Sequence, residues 1–154
     1  MVARILIPVD FSETSAVAAD YGCDLAVRLG ARVTLLHVFS PGIITTPDAV
    51  FAPTPEELRA LAHAARTHLL SMAEKLGRER LAIDCVAVEG SPGDGIGEIA
   101  ERDHADLIVM GTHGRRGVSH LLLGSVAEHV MRHAPCPVLT IGRACGPAAH
   151  PAAH

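Results

Sequence analysis

Tryptophan is absent from this chain, and one tyrosine and three phenylalanines hold the aromatics to 3% of its residues. That scarcity argues against a stacking platform for single-stranded nucleic acid. Basic residues are outnumbered too: 13 Lys and Arg stand against 17 Asp and Glu, a net charge of −4 with His neutral. No general attraction for nucleic acid or an anionic membrane follows, so an anionic ligand must be held by a local site. No apolar run approaches the ~18 residues that a membrane span needs. Met1 leads into a strand-like ARILIPV, not a secretory leader, so a cytoplasmic location is expected. The four cysteines, Cys23, Cys85, Cys136 and Cys145, include no Cys-x-x-Cys pair. A disulfide framework and a structural zinc are both poor readings, and reduced, packed thiols are expected.

What the chain does hold is apolar and aliphatic. Hydrophobic residues make up 49% and charged residues 19% of 154 positions, which excludes disorder and fits one domain with its own core. Five apolar runs, Arg4–Val9, Arg32–Val38, Ala82–Val88, Asp106–Met110 and Pro137–Ile141, alternate with helical patterns. Nearly continuous Ile, Val and Leu marks parallel strands covered on both faces; the third run, with Cys85 and Ala87, reads as an edge. Ser12 is the expected cap of a first helix that runs to Leu29 and stops at Gly30, with Ala18, Leu25, Ala26 and Leu29 on one face. Thr54-Pro55-Glu56-Glu57 combines a capping box with a first-turn proline. Behind it Leu58, Leu61, Ala62, Ala65, Leu69, Met72 and Leu76 recur at helical spacing. Ser91-Pro92-Gly93-Asp94 and Ser125-Val126-Ala127-Glu128 open two more helices, the last ending before Pro135.

The order β-α-β-α-β-α-β-α-β defines a doubly wound α/β domain, expected over residues 1–143. Right-handed crossovers restrict the strand order without fixing it. Phe39–Pro53, rich in Pro, Gly and Thr, reads as a structureless connection, either a lid or a disordered loop. From Cys145 the chain is CGPAAHPAAH, so residues 144–154 are expected to form a flexible tail.

The most informative stretch is Met110-Gly111-Thr112-His113-Gly114-Arg115-Arg116-Gly117, followed by Val118–Leu123 and Gly124-Ser125. It leaves a buried strand at its carboxyl end and feeds a helix N-terminus, where open α/β sheets bind ligands and unpaired N–H groups favour phosphate. Gly111 and Gly114 allow backbone to approach a phosphate without a Cβ between them. Alternatively the glycines only shape a loop, and Ser125 only caps a helix with Glu128.

These residues resemble the universal stress protein family. MGTHGRRGVSHLLLGSVAEHVMRHAPCPVLTIG is similar to its C-terminal signature, and Gly111-x2-Gly114-x9-Gly124-Ser125 to its ATP-binding motif. ILIPVDFSETS resembles the family's first strand and turn, and DLIVMG its fourth strand, so the likeness spans roughly residues 3–142. The resemblance implies a five-stranded parallel sheet of order 3-2-1-4-5 with helices on both faces, of the adenine nucleotide alpha hydrolase type. It further implies ATP over the rim of strands one and four. Pro8, Val9 and Asp10 would then line the adenosine and Val38 would close on the adenine. Met110 and Gly111 would border the ribose, with Gly114, Arg115, Gly124, Ser125 and Val126 around the phosphates. His113 and Gly117, in the same loop, are counted with the site. Mg²⁺ bridging the phosphates is compatible with few protein ligands. A homodimer through the edge strand Pro137–Ile141 is also implied.

Several residues have plainer readings. Asp10 suits a turn or helix-capping role, His113 and the Arg115–Arg116 pair suit solvent, and Cys136 suits packing at a strand entrance. His129 and His133 stand at a metal-binding i, i+4 spacing, but no third ligand is identifiable and a surface pair is the simpler reading. His150 and His154 offer adventitious metal binding at most. Gly93-Asp94-Gly95-Ile96-Gly97 is not the GxGxxG fingerprint, and no P-loop sequence is present. The functional expectation is an ATP-binding regulatory protein. The alternatives are a slow ATPase or phosphoryl-transfer enzyme, and a dimeric interaction module with a vestigial site.

Overall fold

A computed structural model describes residues 1–42, 44–45, 50–112 and 123–142, with backbone alone at 44, 45, 50 and 51. The apolar runs become β1 (Arg4–Pro8), β2 (Arg32–Phe39), β5 (Ile83–Glu89), β6 (Leu107–Gly111) and β7 (Val138–Ile141). Every expected boundary falls within one residue. All pairings among them are parallel, in the order β5-β2-β1-β6-β7. Counted along the chain, these five strands stand in the order 3-2-1-4-5. The aliphatic third run, β5, is one edge as expected, and β7 is the other.

Alternating side chains divide the core into two. Ile5, Ile7, Val33, Leu35 and Val109 pack under α1 (Glu13–Leu29) and α2 (Pro55–Leu76). Leu6, Leu36, Ile108 and Met110 pack under α3 (Pro92–Arg102) and α4 (Ser125–His133). The period of two in the strands thus feeds two helix layers, one on each face.

Helix punctuation largely follows the sequence. Ser12 accepts from the Ser15 amide at the start of α1, and Gly30 ends it in the left-handed region at φ 66°. Thr54 and Glu57 form the complete capping box of α2. Ser91, in contrast, makes no side-chain cap on α3. At α4 the cap position is Gly124, so Ser125 is the first helical residue and not the cap. Leu29 and Leu61, expected on buried faces, are each 45% exposed. Both lie at the margin of their helix's apolar stripe, beyond the reach of the sheet.

The Phe39–Pro53 connection is not wholly structureless. β3 (Ile44–Thr45) pairs antiparallel with β4 (Val50–Phe51) as a small separate ribbon. Residues 43 and 46–49, and the tail 144–154, lie outside the described residues. Cys23 is buried, Cys85 and Cys136 half-buried, and all three are free. Burial pushes the Cys23 thiol up to about 11 and raises those of Cys85 and Cys136, so none is poised as a thiolate. No helix among the described residues is long and apolar enough to cross a membrane.

Carboxylates tie the elements together at their ends. Asp106 Oδ2 accepts the amides of Ala3 (2.8 Å) and Arg4 (2.9 Å), holding the chain's first strand to the start of β6. The Arg78 guanidinium reaches Asp20 and Asp24 on α1 at 2.5 and 3.0 Å and joins that helix to the turn after α2. Backbone donors hold Asp106 below the usual carboxylate range, Thr54 does the same for Glu57, and Arg102 does so for Asp103. Because these native values are depressed, the unfolded chain binds more protons in the acid range. Their stabilisation is complete above the ordinary carboxylate values and is lost as the pH falls through the native ones. The urea midpoint should drop between about pH 4.5 and 3, less steeply in Asp106→Asn.

Candidate functional site

Three strand exits meet on the carboxyl rim, because β1 lies between β2 and β6 and all run the same way. At the first exit Val9 is buried; its amide donates to the Leu36 carbonyl (2.8 Å) and its carbonyl lies 2.7 Å from His37 Nδ1. A carbonyl only accepts, so His37 carries a proton on Nδ1. Asp10 follows, half-buried, with Oδ1 accepting from the Ser12 amide (3.1 Å) and hydroxyl (2.6 Å). Asp10 therefore does make the local turn contact open to it in the sequence.

Between them Phe11 adopts φ 62°, an uncommon conformation for a bulky side chain. Its ring packs 4.5 Å from that of His37 and edge-on, at 5.4 Å, to that of His68 on α2.

At the second exit Val38 is half-buried against α3. A methyl group built on Gly95 would come within 3.0 and 3.2 Å of its two methyls. Glycine at 95 thus allows α3 to press against this valine. Gly93 has a similar reason, since a methyl there would meet the His129 ring at 2.7 Å. The GDGIG stretch is a packing device for α3, and sequence spacing alone could not show what each glycine faces.

At the third exit Met110 is buried and Gly111 ends β6. A methyl on Gly111 would meet Thr14 Cγ2 at 3.0 Å and Thr14 backbone at 3.3 Å, so its bare Cα serves the approach of α1. The Thr112 amide donates to the Ile141 carbonyl (2.9 Å), and the Gly124 amide donates back to the Thr112 carbonyl (2.8 Å). The chain thereby returns to the rim before α4 begins. Among the described residues no side chain caps α4, and its first bonded amide is that of Glu128, which donates to Gly124. The amides of Ser125, Val126 and Ala127 are the orphan donors of a helix start.

The rim therefore gathers Pro8, Val9, Asp10, Val38, Met110, Gly111, Gly124, Ser125 and Val126. His113, Gly114, Arg115 and Gly117 lie outside the described residues. Sequence reasoning missed Thr14, Phe11, His37 and Gly95, which touch or brace the gathered residues. The alternation of β2, which sets His37 and Val38 on opposite faces, was the available signal for His37. At the opposite end of the sheet, a groove of about 390 Å³ is lined in part by Arg4, Arg32 and Arg102. Arg32 pairs there with Asp84 and Arg102 with Asp103.

A profile of the universal stress protein family matches residues 1–142. The chain belongs to that family. A universal stress protein of Methanocaldococcus jannaschii is 37% identical over 140 residues, spanning 90% of this chain and 81% of that one. The solved universal stress protein of Lactobacillus plantarum superposes with a TM-score of 0.71 at 28% identity, over 91% and 97% of the two chains. Two more distant structures share the fold. One is a universal stress protein in complex with cAMP (TM-score 0.66, 24% identity, 92% and 97% covered). The other is an Arabidopsis thaliana family protein with AMP bound (TM-score 0.60, 22% identity, 92% or more of each chain).

Gly111→Ala should cost about 1–3 kcal/mol of stability by forcing α1 away from β6, measured as a shift in urea midpoint. Gly97→Ala, with nothing within 4 Å of the added methyl, should not destabilise the fold.

Proposed function

We propose that this chain is a regulatory adenine-nucleotide-binding protein with ATP as its ligand. The observation that carries the reading is the start of α4, whose first three amides have no partner among the described residues and stand on the same rim as the β1 exit and Asp10. Such a terminus accepts phosphate oxygens through N–H groups and the helix dipole. The other residues fit the rest of a nucleotide. Val38 offers an apolar wall for the base, Pro8, Val9 and Asp10 border the adenosine, and Met110 and Gly111 border the ribose. Gly124, Ser125 and Val126 take the phosphates, and His113, Gly114, Arg115 and Gly117 complete the cradle. Mg²⁺ held mainly by the phosphates would offset their charge beside Asp10.

Magnitudes decide where affinity arises. A helix terminus contributes about 0.3–1 kcal/mol to an exposed anion, whereas micromolar binding needs about −8 kcal/mol. Most of it must come from base and ribose, so adenine and guanine should be told apart. The cAMP and AMP carried by two proteins of this fold support an adenine ligand. Regulation follows if ATP prefers one of two surface conformations, which a partner then reads. A cytoplasmic site of action belongs to the same proposal.

Calorimetry on protein stripped of retained ligand should show saturable ATP binding, GTP at least about tenfold weaker, and a marked loss in Val38→Glu. Absence of saturable binding by ATP, AMP and cAMP alike would overturn the reading.

We also propose a two-fold homodimer through β7, whose outer edge has no described strand beside it. Among the described residues no strand pairs with that edge, and an apolar edge invites a second copy. Light scattering should give a dimer that Leu139→Glu weakens at least about tenfold, with the circular dichroism spectrum retained. A monomer at high concentration contradicts it.

A further inference from the structure

α3 and α4 share an apolar core through Ile96, Ile99, Ala127 and Val130, and near their first turns one polar side chain joins them. His129, one turn into α4, lays its imidazole on the first turn of α3, where Gly93 leaves room for it. Its Nε2 lies 3.0 Å from Asp94 Oδ1, a contact that requires a proton on Nε2. On its other side, the ring of His133 lies 4.4 Å away, tilted by 34°. His133 Nδ1 lies 2.8 Å from the His129 carbonyl and so donates to it. The remaining charged pair on α4, Arg132 with Glu128, is closed on itself at 2.9 Å.

The contact joins the two helices that carry the two ends of the candidate site. The first turns of α3 carry Gly95, against which Val38 rests, and α4 begins with the orphan amides of Ser125 and Val126. The spacing between base wall and phosphate cradle therefore depends on how α3 and α4 are docked, and the His129–Asp94 contact is part of that docking.

We propose that His129 is a positioning residue for the start of α4: once protonated it pairs with Asp94, fixes α4 on α3 and pre-organises the rim for nucleotide. This rests on the nucleotide reading above. Neutral imidazole holds Asp94 by a single hydrogen bond in one tautomer, whereas imidazolium adds the charge attraction. Nucleotide affinity accordingly rises as the pH falls through the imidazole range. Both side chains are partly exposed, His129 at 41% and Asp94 at 62%. The effect is therefore about two- to five-fold, not orders of magnitude.

The experiment compares ATP affinity from pH 8.5 to 6 in the full-length protein and in His129→Gln, Asp94→Asn and Gly93→Ala. ATP's own titration is common to all four, so the difference between profiles belongs to the protein. The wild type should gain about two- to five-fold more than each variant. Gly93→Ala is informative because alanine favours the helix while its methyl displaces the ring. Identical profiles in wild type and His129→Gln would overturn the proposal. A readout free of nucleotide accompanies it: in NMR titrations the Val126 amide should follow the His129 ring in wild type and cease to do so in Asp94→Asn. If no nucleotide binds at any pH, the functional reading fails by itself. The positioning role then stands with a coupled Val126 shift and falls without one.

Discussion

A single backbone hydrogen bond decides where the site can be. When the Gly124 amide donates to the Thr112 carbonyl, the chain that left β6 is brought back to the same rim, and α4 has to start there. Among the described residues no side chain caps that start, so its first amides stand on the rim. Everything else on the rim follows from parallel pairing. β1 lies between β2 and β6, so their exits cannot be anywhere but side by side. A shift of one residue in β2 would turn Val38 onto the other face, and in β6 Met110.

The two helix layers brace this rim differently. On the α1 and α2 side, the support is close backbone approach: Gly111 admits Thr14, and the Arg78 guanidinium ties α1 to the turn beyond α2. On the α3 and α4 side, it is side-chain packing onto glycine, with Val38 on Gly95 and the imidazole of His129 on Gly93. The first kind of support is stiff, because backbone cannot step aside. The second turns on two side chains, Val38 and His129.

Much of the architecture was legible because strand and helix periods are strong signals, and both ends of the chain carried motifs in the right order. Less legible was anything set by a neighbour distant in sequence. The bare Cα atoms at 93, 95 and 111 all suggest backbone exposed to a ligand, yet each faces a side chain or backbone of this protein. Ser125 looked like a cap because serine commonly is one; the return of the chain at Gly124 took that position first. Leu29 and Leu61 fit their helices' periods but lie where the sheet no longer covers them. The β3–β4 ribbon, two residues to a strand, is too short for alternation to reveal it.

Phe11 illustrates how a position can be constrained from opposite directions. Its left-handed backbone favours a residue with no side chain at all, at a cost of about 1–2 kcal/mol for any other. The gap between His37 and His68, however, needs a flat ring to fill it. Glycine would relax the turn and vacate the space, while valine or isoleucine would satisfy neither demand. The usable alphabet at this position is therefore narrow, and the turn that presents Asp10 inherits its shape from that compromise.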